Sequence, residues 1–371
     1  MRIKGFVIKV VIITTVFVGL LGSGCLQKSV ARHIHEPEIP VEQQHHAEKK
    51  EFNVGKLIIG HVVDAHEWHF ITLPNGKDVA IYLPMILLHQ GKLHCFSSKH
   101  LYHAHGQSYK GFELDHETIV YRQDNGELSE SAVYDFSITR TVVGVFISCA
   151  LLLIIFLTMT SVYTKNQGRA PKGFWNLFEM GVMFVRDDIA KPSIGKHYEK
   201  YMPFLLTAFF FIFLNNLIGK IPGFPNVSGN IAVTLVLALC TFFIVTFSAN
   251  RHYWKEIFNP DVPLAMKFPI PLMPLVEFIG IFTKPFALTM RLFANITAGH
   301  IVILSFTCLV FLMGAKMMAL GYMSSFFSVM LSAFMYLLEL LIAFIQAFIF
   351  TLLSALYIGL ATENPHQEKN H

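Results

Sequence analysis

 The sequence predicts an all-α polytopic membrane protein with a small N-terminal extracytoplasmic domain that is expected to be β-rich. About five membrane helices and one amphipathic surface helix are expected to follow this domain. Of the 371 residues, 53% are hydrophobic and only 15% are charged, and the mean hydropathy is +0.50. Soluble domains carry about 25% charged residues, so this composition indicates several membrane spans. The net charge of +4 is too small to indicate nucleic-acid binding.

Residues 1–25 have the pattern of an export signal. A basic start is followed by an apolar run over residues 6–21 and by small residues up to Cys25, which is typical of a secretory signal. The segment 21–25 also resembles a bacterial lipoprotein cleavage site, which would lipidate Cys25. Plain cleavage, lipidation and a retained helix are three alternatives, and each of them exports the segment that follows.

Residues 26–137 are predicted to form a His-rich extracytoplasmic domain. Strands are expected at 56–63 and 118–122, and a hairpin is expected to join 69–73 to 77–83 through the turn 74–76. The sequence His66–Glu67–Trp68–His69 is one residue short of the HExxH zinc motif. We therefore predict no metal and no cofactor, and we favour solvated or pH-responsive histidines over a metal-binding module.

The membrane domain is predicted to occupy residues 138–371. Basic residues are concentrated between positions 165 and 200, which assigns that side, and with it the C-terminus, to the cytoplasm by the positive-inside rule. The last two apolar segments exceed one perpendicular crossing, so they should be tilted or kinked. The predicted spans lie at about 141–163, 201–221, 231–249, 272–313 and 326–361, with an amphipathic surface helix at 174–190.

An arginine at the centre of the fourth span indicates function. Placing Arg291 in the middle of a membrane helix costs about 2.5–3.5 kcal/mol on insertion scales. A helix turns each residue by about 100°, so Glu277, Lys284, Arg291 and Asn295 share a stripe of roughly 40°. Such a stripe is expected to face protein or water, although an Arg that reaches the membrane surface along its aliphatic stem is the alternative.

The fifth span carries a second polar row, because Ser332, Glu339 and Gln346 are spaced by seven residues. A buried carboxylate needs a partner or must be neutral. His300 in the preceding span is the expected partner of Glu339, and a His–Glu pair inside the membrane suits a proton relay. A structural pair that fixes helix register is the alternative.

These residues also resemble a known family. The segment from Glu277 to His300, centred on Arg291–Leu292–Phe293–Ala294–Asn295, resembles subunit a of the F-type rotary ATP synthase. The run 346–350, the helix start at Asn230 and the surface segment 184–190 resemble the same family, and the likeness covers about residues 140–363.

The resemblance implies a role for each of these positions. Arg291 would face the ring of c subunits with Gln346 beside it, and Glu277 would line the cytoplasmic exit for protons. The outer half-channel would be lined by Asn230, Asn295, His300 and Glu339. The subunit would not be catalytic by itself; it would work in a bacterial inner membrane with the c-ring, the peripheral-stalk subunit b and the rest of the synthase.

A secondary transporter that uses an intramembrane Arg for an anionic substrate is the alternative function. That class often shows internal repeats with broken helices in both halves, and no such repeat is evident in this sequence. An intramembrane hydrolase would need a nucleophile with a base, or metal ligands, and neither pattern occurs. His300 and Glu339 favour H⁺ over Na⁺ as the translocated ion.

Overall fold

The computed structural model describes nine stretches of the chain: 64–72, 78–102, 108–115, 118–122, 133–165, 173–221, 223–258, 272–316 and 318–363. The predicted export signal with Cys25, the strand at 56–63 and the turn at 74–76 lie outside the described residues. Contacts divide the chain into two compact units. One unit includes residues 141–297 and the chain from 339 onward, and the other includes residues 22–140 and 298–338.

The N-terminal part is built from short antiparallel strands. Strands β1 (Glu67–Thr72) and β2 (Asp78–Tyr82) pair as the predicted hairpin, and β6 (Thr118–Tyr121) confirms the strand predicted at 118–122. Strand β3 lies between β4 and β7, so this sheet includes a pairing that is distant in sequence. The remaining elements are β3 (Pro84–His89), β4 (Lys92–Ser97), α1 (Lys99–Tyr102), β5 (Phe112–Asp115) and β7 (Tyr134–Asp135).

Strand alternation builds the core of this part. In β3 the alternate residues Met85, Leu87 and His89 are buried, as expected for a strand with one face in a core. Met85 and Leu87 pack with Phe112 of β5 in one cluster. The β3–β4 turn has positive φ at both Gln90 (48°) and Gly91 (75°), the backbone geometry of a tight two-residue hairpin turn.

Within the part of the chain that the structure describes, five helices are long and apolar enough to span a bilayer, which agrees with the predicted number. Their bounds lie close to the predicted ones, except that the last helix begins at Met318 rather than near 326. With the shorter helices between the spans included, the helices are α2 (Arg140–Lys165), α3 (Phe174–Phe184), α4 (Lys191–Ile194), α5 (Tyr198–Ile218), α6 (Ile231–Ser248), α7 (Arg251–Phe258), α8 (Leu272–Lys316) and α9 (Met318–Thr362).

The segment 174–190, predicted as an amphipathic surface helix, forms α3 and a π-helical turn at Val185–Ala190, and α4 follows it directly. Gly195, with φ of 73°, ends α4, and α5 begins three residues later. Val185 and Ile189 are fully buried, whereas Leu177 of α3 is 60% exposed. The wider π-helical turn changes the angular spacing along the helix, so one straight stripe cannot describe the whole segment.

Aromatic side chains from three elements form much of the membrane core. Phe178 of α3 stacks on Phe210 of α5 with ring centroids 5.7 Å apart, and Phe209 of α5 meets Phe344 of α9 edge to face at 6.1 Å. Such aromatic pairs contribute about 0.5–1.5 kcal/mol beyond the area they bury. Gly181 permits this packing, because a Cβ there would lie 2.9 Å from the Phe210 ring.

Candidate functional site

Arg291 lies on an exposed face of α8. Leu288 and Leu292 lie about 60° and 100° around the helix from Arg291, and each is 2% exposed and belongs to the membrane core. The side chains that neighbour Arg291 on its own face are small, namely Ala287 and Ala294, and they are exposed as well. Among the described residues, Arg291 makes no ion pair and no hydrogen bond. The helix therefore presents a cation on a surface that another helix can approach closely.

Asn295 is exposed on the same face as Arg291, which is the arrangement predicted from the spacing. Gln346 is only 6% exposed, and Ala347 and Phe350 beside it pack in the same core cluster as Leu288 and Leu292. The buried residues of α8 and α9 at this level therefore belong to one common core. The functional roles of Asn295 and Gln346 remain predictions.

A small pocket lies at the part of α8 that precedes Arg291. Lys284 lines it together with Thr241, Tyr253 and Tyr357, and the Lys284 ammonium lies 5.4 Å from the centroid of the Tyr357 ring. The pocket volume is about 20 Å³, which is enough for a single water molecule. Beside it, the hydroxyl groups of Thr241 and Ser354 are 3.2 Å apart and hydrogen-bonded.

Glu277 is half-buried near this pocket. Burial, and then the negative charge of Glu277, raise the pKa of Tyr253 above its ordinary value. Tyr253 itself lines the pocket. The predicted polar stripe thus begins at Glu277, with Tyr253 of α7 nearby, and continues through Lys284 to Arg291 and Asn295.

Glu339 is buried, and its charge partner is a residue that the sequence analysis missed. The ammonium group of Lys220, just after α5, donates to Glu339 Oε2 at 2.8 Å. The two side chains are 9% and 5% exposed. A lone lysine at the end of an apolar span is usually a residue that reaches toward the membrane surface, so no local pattern indicates this contact.

The other predicted residues stand as follows. His300 on α8 and Ser332 on α9 are half-buried, and the pairing of His300 with Glu339 stays a prediction. Asn230 caps α6, because its side-chain oxygen accepts a hydrogen bond from the amide of Ala232 at 2.9 Å. A side-chain cap of this kind contributes about 1 kcal/mol, so Asn230 has a structural role whether or not it lines a channel.

Comparison with known proteins identifies the membrane part. A family model described as "ATP synthase A chain" matches residues 143–359. The chain belongs to the ATP synthase A chain family. A second model, a domain of unknown function (DUF8433), matches residues 57–136.

Several curated relatives are similar over most of their length. An ATP synthase subunit a of Chloroherpeton thalassium is 48% identical over 247 residues, which are 64% of this chain and 71% of that protein. An ATP synthase subunit a 2 of Prosthecochloris aestuarii is 46% identical over 237 residues, or 63% of this chain and 72% of the relative. The subunit a of Pelodictyon phaeoclathratiforme is 43% identical over 283 residues, or 72% of this chain and 81% of the relative.

Membership of the ATP synthase A chain family confirms the resemblance found in the sequence. Proteins of this family are the proton-channel component of the synthase, are not catalytic by themselves, and function with the c-ring, subunit b and the rest of the complex. They are multi-pass proteins of the inner membrane, which agrees with the five apolar helices. The secondary-transporter alternative is not favoured.

Proposed function

We propose that this chain conducts protons along the c-ring of the F-type ATP synthase and that Arg291 is the fixed stator charge of the process. The observation that carries the proposal is a cation on an exposed face of an apolar helix, without a partner among the described residues. A membrane-embedded charge is costly unless it is paired. An anionic group of a neighbouring protein would offset this cost, and each carboxylate of a rotating ring would do so in turn.

Arginine suits this role because its guanidinium group keeps its charge when it is buried, whereas a buried lysine can lose its proton. A stator cation must attract each deprotonated carboxylate and release it when that group is protonated. The exposed Ala287 and Ala294 leave room for a ring helix to pass close to Arg291. One charge that crosses about 100 mV releases roughly 2.3 kcal/mol, so several protons must pass for each nucleotide.

The proposal places two half-channels on either side of Arg291. Glu277 and the pocket around Lys284 and Tyr357 belong to the cytoplasmic half-channel. Glu339 belongs to the outer half-channel, together with Asn230, Asn295 and His300 as the family resemblance implies. The concentration of basic residues at 165–200 supports a cytoplasmic location for that loop and for the C-terminus, with an exported N-terminal domain of residues 26–137.

Replacement of Arg291 tests this function. We expect Arg291→Ala to lower ATP-driven proton pumping in inverted membrane vesicles by about 10²-fold or more, while the complex still assembles. Arg291→Lys should recover little pumping, because lysine can lose its charge. Arg251→Ala is the matched control, since this exposed arginine belongs to the short helix α7. Normal pumping by assembled Arg291→Ala complexes would contradict the proposal.

A further inference from the structure

The end of α5 contacts α9 through two polar side chains that are one helical turn apart. Asn216 and Lys220 are four residues apart and therefore lie on the same face. The Asn216 Nδ2 atom donates to the carbonyl oxygen of Ala343 at 3.4 Å, and Lys220 donates to Glu339. Glu339 and Ala343 are also four residues apart. The backbone amide of Lys220 bonds to the Leu217 carbonyl at 3.2 Å, so the helical turn continues far enough to place Lys220 beside α9.

Burial makes Lys220 necessary for a charged Glu339. The Glu339 side chain is only 5% exposed, so its carboxylate loses nearly all of its hydration, and such a group without a counter-charge tends to take up a proton. The Lys220 ammonium at 2.8 Å supplies both the opposite charge and a hydrogen bond. Removing one partner of a buried pair is much more harmful than removing both, because it leaves an uncompensated charge.

Two oxygen atoms in this region are buried without a hydrogen-bond donor among the described residues. They are Oε1 of Glu339 and Oδ1 of Asn216. Buried polar atoms are hydrogen-bonded in the large majority of cases. The amide oxygen of Asn216 and the carboxylate oxygen of an ionised Glu339 are acceptors and cannot donate. A water molecule brings two O–H donors, so acceptors of this kind are the partners that a buried water needs.

We propose that Lys220 is the counter-ion that holds Glu339 ionised, and that Glu339 Oε1 and Asn216 Oδ1 bind water that delivers protons in the outer half-channel. This inference rests on the proposed function for its proton-transfer part. A hydronium ion in the channel transfers one proton to Oε1: an O–H bond of the hydronium breaks, an O–H bond on Glu339 forms, and neutral water remains. Lys220 keeps its hydrogen bond to Oε2 throughout, so it acts as a positioning residue for Glu339.

Infrared spectroscopy of the complete purified complex tests the ionisation of Glu339 directly. The spectrum of the native complex minus that of Glu339→Gln isolates the Glu339 signal, which at neutral pH should be that of a carboxylate. The spectrum of Lys220→Met minus that of Lys220→Met/Glu339→Gln should instead show the C=O band of a protonated carboxyl group. Lys220→Arg should keep the carboxylate signal. Lys196→Met, a change of an exposed lysine, is the control and should change nothing.

Proton flux through the membrane sector tests the second half of the inference. Lys220→Met should lower the flux by about tenfold or more, and Lys220→Arg should restore most of it. Asn216→Leu, which removes the Oδ1 acceptor and keeps a similar volume, should also lower the flux but leave the Glu339 carboxylate signal unchanged. Native flux in Asn216→Leu would overturn the water-binding part.

A protonated Glu339 in the native complex, or a carboxylate that persists in Lys220→Met, would overturn the counter-ion assignment. These outcomes are separable from the test of Arg291. If Arg291→Ala pumps normally while the Glu339 signal depends on Lys220, the stator function fails and the ion pair stands. If Lys220→Met fails to assemble, the native and Lys220→Arg spectra still decide whether Glu339 is ionised.

Discussion

Gly359 allows the C-terminal end of α9 to pack directly on the backbone of α4, and we expect Gly359→Ala to weaken this contact. A Cβ atom at this position would overlap the carbonyl oxygen of Ser193 and lie 3.0 Å from the carbonyl carbon of that residue. Both atoms belong to the backbone, so no side-chain rotation can relieve the overlap. One of the two helices must move.

The surrounding residues allow little movement. Ala355 and Ile358 of α9, and Ile189 and Ala190 of the π-helical turn before α4, have no exposed surface. Overpacking in such surroundings costs about 1–3 kcal/mol, and the better helix propensity of alanine returns up to about 1 kcal/mol. We therefore expect a net loss of about 1–2 kcal/mol, which for a domain of this size lowers the melting temperature by about 2–4 °C per kcal/mol.

The assay compares two glycines in one protein. The detergent-solubilised complex is heated, and the temperature at which this chain dissociates is followed on native gels. Gly280→Ala is the matched control, because nothing lies within 4 Å of a Cβ at that helical position, and its dissociation temperature should be unchanged or higher. Equal temperatures for Gly359→Ala and the native chain would refute the steric argument, and equal losses in both variants would show that any added methyl group is harmful.

Two further predictions concern other parts of the chain. Burial, and then the charge of His94, lower the pKa of His89 from its usual 6.5, so His89 binds a proton less readily in the folded domain than in the unfolded chain. The domain therefore keeps its full stability above pH 6.5 and loses part of it as the pH falls below that value. Hydrogen-exchange protection of β3 and β4, corrected for intrinsic rates, should fall in this range, and His89→Phe, which can keep the stacking on Tyr121, should remove the effect. The Asn250 side chain donates to the Thr362 carbonyl at 2.9 Å, so Asn250→Ala should lower the local stability at the end of α9 by about 0.5–1.5 kcal/mol. Hydrogen exchange at the end of α9 should become faster by the corresponding factor, and unchanged exchange there would contradict the assignment.

The sequence predicts the membrane spans well because their signal is local: an apolar run must be long enough to cross a bilayer, whatever it packs against. The hairpin β1–β2 is predictable for the same reason, since its strands are neighbours in the chain. The pairing of β3 with β7 joins residues nearly fifty positions apart, and no local pattern encodes it. The π-helical turn at Val185–Ala190 is equally hidden from the sequence, because a regular helical period does not anticipate it.

The candidate site shows the same limit. Arg291 stands out in the sequence because a charge inside an apolar run is costly in any surroundings. Lys220 does not stand out, because the end of a span is an inexpensive place for a lysine. Its importance comes from a contact with Glu339, which is 119 residues away. Only the packing of α5 on α9 brings the two groups together.

The pairing of Lys220 with Glu339 also bears on Arg291, because it removes a candidate anion from the same bundle. The membrane helices α8 and α9 contain two carboxylates, Glu277 and Glu339. Glu339 already has Lys220 as its partner, and Glu277 lies fourteen residues before Arg291 in one helix, a separation of about 21 Å along the axis. Neither can neutralise Arg291 in this arrangement. Among the described residues of these two helices, neither carboxylate offsets the cost of Arg291, which supports the proposal that a neighbouring chain supplies the anion and binds the exposed face on which Arg291 lies.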